Sequence, residues 1–280
     1  MCEFCVQHGE GKKWYLDARN YARDLLSDVR RRKMITDFFS KPGGVSDDAA
    51  QLEKLSKLPP VVRRAISSAA TRKMKKQHFG QVLPIEDVER IFGFVNFIAR
   101  VPCICRHSLL GKEARYCYGI SLDPSSGLEE VLGETDNSFI SGPDSPATER
   151  LTREEALEAF AEHEKEGLCH TVWTFMTPFI GGICNCDRAD CMAMRSTVVH
   201  DVKVMFRAEY VASANPDICT GCRSCMRGCQ FGALGYSATN KKVVVDQLAC
   251  YGCGVCRSMC RSGALSLVPR SEAPAVASVW

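Results

Sequence analysis

Eight cysteines toward the C-terminus fall into two runs of one spacing, C-x2-C-x2-C-x3-C. Cys219, Cys222, Cys225 and Cys229 form the first, and Cys250, Cys253, Cys256 and Cys260 repeat it 31 residues later. Gly232-Ala233-Leu234 recurs at the same interval as Gly263-Ala264-Leu265, so the duplicated unit extends beyond its thiols. Two intervening residues let a loop bend around one iron–sulfur cube and aim successive sulfurs at different irons. Three further residues carry the chain away from that cube, so the last cysteine of each run reaches the other cluster. The expected ligand sets are therefore Cys219, Cys222, Cys225 and Cys260 on one [4Fe–4S] cluster, and Cys250, Cys253, Cys256 and Cys229 on the second. Zinc on the eight thiolates is the alternative, and two complete tandem runs with a shared tail argue against it.

These ligands need short, stiff supports. Each copy reads as a ligand loop, a helical turn and a strand. Lys242 to Asp246 supplies one more strand after a turn at Thr239-Asn240, which makes a pair of hairpins packed on short helices. From Pro216 to Val268 the bases Arg223, Arg227, Lys241, Lys242, Arg257 and Arg261 outnumber the acids Asp217 and Asp246. Local positive charge favours a reduced cluster and a redox partner with an acidic docking surface. Aromatic residues are not interleaved with these arginines, which argues against nucleic acid as a partner.

Residues from about Asn215 to Pro269 resemble the bacterial dicluster ferredoxins. The resemblance implies a pseudo-twofold ferredoxin-like fold and one-electron transfer at each cube. That family often has proline after each fourth cysteine, whereas Gln230 and Arg261 stand there in this chain. Either residue leaves an amide N–H beside a cluster sulfur, where it would raise the potential.

A second set of cysteines lies upstream. Cys103 and Cys105 sit in P-C-I-C-R, Cys117 in R-Y-C-Y-G, and Cys184, Cys186 and Cys191 in G-G-I-C-N-C-D-R-A-D-C. They are expected to converge on a third metal centre, either an iron–sulfur cluster or zinc, with His107, His170 and His200 as alternative ligands. Unligated or redox-active thiols are the remaining reading. The order P-C-x-C-R, then a helix ending in Gly167-Leu168-Cys169-His170, then I-C-N-C is similar to a poorly characterised group of anaerobe proteins in which such a module precedes a dicluster ferredoxin domain. That similarity runs from about Pro84 onward and implies an accessory electron-transfer subunit. It departs at Asp187-Arg188-Ala189-Asp190, where the group often has a denser cysteine run. Cys2 and Cys5 read as mobile terminal residues, and Cys169 as a small apolar residue packed beneath His170.

The expected fold class is α+β, with a helical region at 1–80, a small α/β cysteine-bearing module at 81–205, a ferredoxin-like domain at 206–270 and a flexible tail at 271–280. In the first region, Trp14 to Phe39 reads as a helix ending near Pro42-Gly43-Gly44. Ser46 to Leu58, capped by Ser46 or Asp47, and Val61 to Lys76 follow as two more. Trp14, Tyr15, Tyr21, Phe38 and Phe39 are candidate anchors for a partner subunit. The basic runs Arg30 to Lys33 and Arg72 to Lys76 read as solvated faces. In the second region Pro84 to Phe94 reads as a helix, Val95 to Cys105 as a strand and Asp123 to Thr148 as a surface loop. Thr152 to Glu166 reads as a helix with a Thr152/Glu155 capping box and a stop at Gly167.

Composition narrows the function. Seventeen cysteines, an odd number in a chain of 280 residues without a signal-like start, point to metal in the cytoplasm rather than to disulfides. No run of 18 apolar residues predicts a membrane span, and a net charge of +3 gives no general argument for nucleic acid or membranes. Without G-x-G-x-x-G, G-x4-G-K-S/T or a nucleophile elbow, no nucleotide cofactor is expected. The expected function is single-electron relay between two cubanes and a redox partner protein. The alternative is an oxidoreductase whose upstream cysteine module holds a catalytic metal centre.

Overall fold

The computed structural model describes residues 11–40, 43–111, 113–124, 130–131, 133 and 148–279. Cys2, Cys5, Pro42 and most of the expected 123–148 loop lie outside them.

An antiparallel six-stranded sheet organises the first two-thirds of the chain. Its strands are β1 (Gly80–Leu83), β2 (Phe97–Val101), β3 (Cys117–Ser121), β4 (Glu149–Arg150), β5 (Cys169–Thr174) and β6 (Ile180–Cys186), in the order β1-β5-β6-β3-β2-β4. Because side chains alternate across a strand, the register sorts this sheet into two unlike faces. Val172, Ile183, Tyr118, Ile120 and Ile98 share one face and pack on α4 (Ile85–Phe92) and α6 (Arg153–Lys165). Cys117, Cys184, Cys186, Cys169 and Thr171 share the other, since Cys117 pairs with Cys184, Thr171 with Cys184 and Cys169 with Cys186.

Helix α6 forms as its sequence dictates. Thr152 accepts from the Glu155 N–H while the Glu155 carboxylate accepts from the Thr152 N–H, and Gly167 leaves the helix at φ +87°. Strand β2 stops short of Cys105, because Pro102 has no N–H to extend the ladder and Cys103 instead caps α5 (Ile104–Leu110).

The N-terminal region departs from expectation. Trp14 to Phe39 is not one helix but three 3-10 turns, Gly11–Leu16, Ala18–Tyr21 and Arg23–Ser27, followed by α1 (Val29–Ser40). Asp17 accepts from the Arg19 N–H and Asn20 donates to the Trp14 carbonyl, and such side-chain bonds to nearby backbone compete with a regular helix. Trp14, Tyr15 and Tyr21 are 0% exposed within the main core, so they are not partner anchors. Trp14 donates to Gln81 on β1 and Tyr15 to Asp87 on α4, each at 2.7 Å. Arg31, expected on a solvated face, is buried and donates to the carbonyls of Phe175 and Met176. Ser46 is no cap: it lies inside α2 (Gly43–Ser56) and donates to Ser108 O at 3.0 Å, and α3 (Pro60–Lys76) follows.

The C-terminal part is built from the repeat. Each copy contributes a one-turn helix, α8 (Ser224–Arg227) and α9 (Val255–Ser258), and then a strand, β8 (Leu234–Ser237) and β10 (Leu265–Pro269). β8 pairs with β9 (Lys242–Val245), and β10 with β7 (Tyr210–Ala214), a strand the sequence reading did not anticipate. The expected flexible tail packs, with Ala273 and Val276 buried in this core. Fully buried Arg270 donates to the carbonyls of Ala208, Tyr210 and Cys250.

Candidate metal centres

The repeat loops turn at left-handed glycines. Gly221 and Gly252 occupy equivalent positions at φ +69° and +74°, and a Cβ at Gly252 would collide with the Tyr210 carbonyl. Beyond each fourth cysteine a further left-handed glycine aims a backbone N–H back at sulfur. Ala233 N donates to Cys229 at 3.2 Å and Ala264 N to Cys260 at 3.3 Å. Cys219, Cys222 and Cys225 line one small cavity together with Cys260 from the other copy. Burial, then Cys253, Cys250, Cys229 and Cys225, pushes the Cys256 thiol up, so thiols of both copies act on it.

The surroundings of the two groups differ. Cys222 is exposed and held down to about 7 by the Ser224 N–H, then by the Ser224 and Thr220 hydroxyls. Its counterpart Cys253 packs against the buried cluster that contains Cys169, Met205 and Tyr251; Cys169 holds it low, while burial, and then Cys253, pushes Cys169 up. Gln230, in the position where proline was expected, joins the two halves of the molecule. It donates to Gly167 O at 2.8 Å and accepts from the Arg188 N–H at 2.9 Å. The basic surface is partly engaged: Arg257 pairs with Glu86 at 2.8 Å, and Arg223 lies 3.8 Å from the Tyr236 ring.

The six upstream cysteines come together. Cys103 caps α5 and Cys105 lies in its first turn, Cys117 opens β3, Cys184 and Cys186 close β6, and Cys191 caps α7 (Met192–Val198). The sulfurs of Cys103 and Cys117 are 3.3 Å apart. Cys117 is also paired in register with Cys184, and Cys186 and Cys191 share one buried cluster. Burial, followed by Cys191 and Cys103, raises the Cys105 thiol. Cys191 is held low, first by Cys186, with help from the N–H groups of Met194 and Ala193 and from Arg106. That arginine is buried 3.5 Å from the Cys103 sulfur and paired with Asp187, so a fixed positive charge stands beside the thiols. All six line one cavity of about 740 Å³ whose other walls include Phe38, Leu55, Ile66, Met74, Trp173 and Phe175.

The histidines do not join them. His170 is on the opposite sheet face with Nδ1 2.6 Å from Asn185 Oδ1, and His200 Nδ1 contacts Ser56 at 2.8 Å. His107 is not among the residues lining the shared cavity. Cys169 is likewise not beneath His170, because the strand alternation puts it on the other face, opposite Cys186. Its place in one buried cluster with Cys186, and against Cys253, was missed from sequence, because it depends on the register of β5 with β6.

Among the described residues no three or more Cys, His, Asp or Glu side chains form a ready shell around a single ion. This holds for the eight repeated cysteines as well as for the upstream six. Bonds of 2.3 Å to a tetrahedral ion put sulfurs about 3.8 Å apart. The chemistry of the donors nevertheless fits soft metals: both groups are all thiol, supported by backbone N–H groups and, upstream, by Arg106.

The chain matches no curated protein and no solved structure. Among the described residues no helix is long and apolar enough to cross a membrane. Residues 218–265, which contain all eight repeated cysteines, match the family model of the 4Fe-4S dicluster domain. The α+β chain thus carries a C-terminal ferredoxin-type domain for two [4Fe–4S] clusters, whose chemistry is iron–sulfur electron transfer with a redox partner.

Proposed function

We propose that this protein relays single electrons between a partner oxidoreductase and a third metal centre of its own, through two cubanes held crosswise by the repeat. Cys219, Cys222, Cys225 and Cys260 hold the first cluster, and Cys250, Cys253, Cys256 and Cys229 the second. The cavity shared by Cys219, Cys222, Cys225 and Cys260 supports this crossing. Each cube, when bound, takes up and releases one electron. The N–H groups of Ala233 and Ala264 stabilise the negative charge at Cys229 and Cys260. Exposed Cys222, with Arg223, Arg227 and Lys241 around it, forms the face for an acidic partner.

The observation that carries the reading is the meeting of Cys103, Cys105, Cys117, Cys184, Cys186 and Cys191 around one cavity, with Cys253 packed against the buried cluster that holds Cys169, Cys186 and Cys191. A protein that only shuttled electrons to a partner would have no use for six further thiols at its inner end. The similarity to anaerobe proteins with a module of this kind supports the same view. That cavity also favours a second reading, in which the third centre is catalytic: apolar walls of this size suit a small apolar substrate, and Arg106 fixes a positive charge at its thiol end.

Metal and sulfide analysis of anaerobically purified protein, with low-temperature EPR after reduction, tests the assignment. About twelve irons and twelve sulfides per chain are expected for two cubanes and a third redox centre, whereas about eight of each plus zinc would end the relay at the cubanes, because zinc carries no electron. About eight irons with no other metal would remove the third centre, and zinc without iron would overturn the whole reading.

A further inference from the structure

We propose that the tip of the α2–α3 hairpin, at an opening of the thiol-lined cavity, is a docking surface for an anionic membrane face.

A surface helix ordinarily turns an apolar stripe to the core. Helix α3 does so only in its second half. Every residue from Lys57 to Ile66 is exposed, Ser67 is the only buried residue of the helix, and Val61 is 81% open to solvent. The base of the hairpin is fixed: Ser56 Oγ lies 2.8 Å from His200 Nδ1, and Thr71 accepts from the Lys203 N–H at 3.0 Å. Its apolar tip is thus held out into solvent from a pinned base.

One stripe of α3 runs from this tip into the cavity. Val62, Ile66, Ala70 and Met74 recur every four residues and share a side of the helix. The last three line the cavity, as do Leu55 and Leu58 across the hairpin. Leu58 and Ile66 are cavity wall and yet 39% and 45% exposed, which puts an opening at the tip.

Charge names the occupant. From Lys54 to Lys76 the chain carries eight bases and no acid. Lys57, Arg63 and Arg64 flank the exposed valines in sequence, and none of the three has an ion-pair partner among the described residues. Apolar side chains among unpaired cations fit an anionic headgroup layer, where the cations meet phosphate and the valines enter the acyl boundary. A nucleic acid would meet the cations alone and leave Val61, Val62 and the apolar opening in water. A bilayer also supplies the medium from which a ligand suited to apolar walls would partition.

The test is co-sedimentation of the full-length protein, with metals loaded anaerobically, with vesicles of two parts phosphatidylcholine to one part phosphatidylglycerol and with vesicles of phosphatidylcholine alone. Binding is expected to the anionic vesicles and should weaken in high salt. R63Q/R64Q should bind about thirtyfold more weakly, the share of two cations at the surface. V61S/V62S keeps every charge and should bind about tenfold more weakly. All four side chains are exposed, so melting curves of both variants should match the wild type. Absence of binding to the anionic vesicles would overturn the proposal and leave the tip to an acidic protein or a nucleic acid. Binding that V61S/V62S leaves unchanged would overturn it too, as adsorption by charge alone.

Discussion

The two copies of the C-terminal repeat carry the same cysteines at the same spacing, yet they live in different surroundings. The first turns Cys222 to solvent, while the second is covered by α4 and α6 through Arg257–Glu86 and Ser258–Glu164, and its Cys253 packs against the buried cluster that contains Cys169 at the start of β5. Equivalent positions show how the difference is written. Arg257 corresponds to Met226 and Ser258 to Arg227, so at these two positions the covered copy carries residues that bond to the rest of the chain, while the first copy is tied to it through Gln230. A duplicated ligand pattern therefore fixes what is bound, and the residues between the ligands fix which way each copy faces.

The largest effects come from the ligands. Replacing Cys225 or Cys256 by alanine should each remove one cubane, about four irons. Only C256A should also disturb the spectrum of the third centre, because its cluster is the one against the upstream module. Equal disturbance by both would break the distinction between the copies. Next, the double variant C117A/C184A should lose the third metal and leave the two cubane potentials in place. Loss of cubane iron in that variant would mean that the two thiol groups share ligands.

Backbone changes come after. G252A should destabilise the fold by about 3 kcal/mol, since a left-handed residue gains a Cβ directed at the Tyr210 carbonyl. Chemical unfolding under anaerobic conditions measures it, and a loss below about 1 kcal/mol would contradict the rigid turn.

Acidity distinguishes the covered side further. His163, on α6 and 2.8 Å from the Tyr118 hydroxyl, is lowered to about 4, chiefly by burial and then by His170. The unfolded chain takes up a proton near pH 6.5 that the folded chain refuses until about 4. Stability should fall as pH drops through that window, by on the order of 2–3 kcal/mol in all. Melting curves from pH 7.5 to 5 should be steeper in pH for the wild type than for H163Q, and parallel curves would refute the assignment. The smallest effect is expected of R257M, which gives the second copy the first copy's residue. A half-exposed ion pair contributes under about 1 kcal/mol, and its loss should fade in high salt.

What was legible in the sequence was local. The capping box at Thr152 and Glu155, the stop at Gly167 and the two ligand loops rest on contacts within a few residues, and they fold as read. The misread helix after Trp14 failed because three aromatic side chains serve a core made by distant strands, while Asp17 and Asn20 bend the backbone locally. The convergence of the upstream thiols was expected, but its ligand alternatives were not resolvable: His170 and Cys169 are neighbours in sequence, and only strand register shows that they face opposite ways. Strand β7 pairs with β10 more than fifty residues away, and nothing adjacent to Tyr210 announces it.

Gln230 and Phe206 have a kinetic consequence. With Gln230 bonded to Gly167 and Arg188, and Phe206 bonded through its carbonyl and N–H to Val82 and Gly80 of β1, the ferredoxin-type domain is tied to the sheet. In the proposed relay, passage from the Cys253 side toward the upstream thiols is then a first-order event, at a rate indifferent to dilution. Exchange with a partner at the exposed Cys222 end would be second order, and it alone would slow as the protein and its partner become scarce.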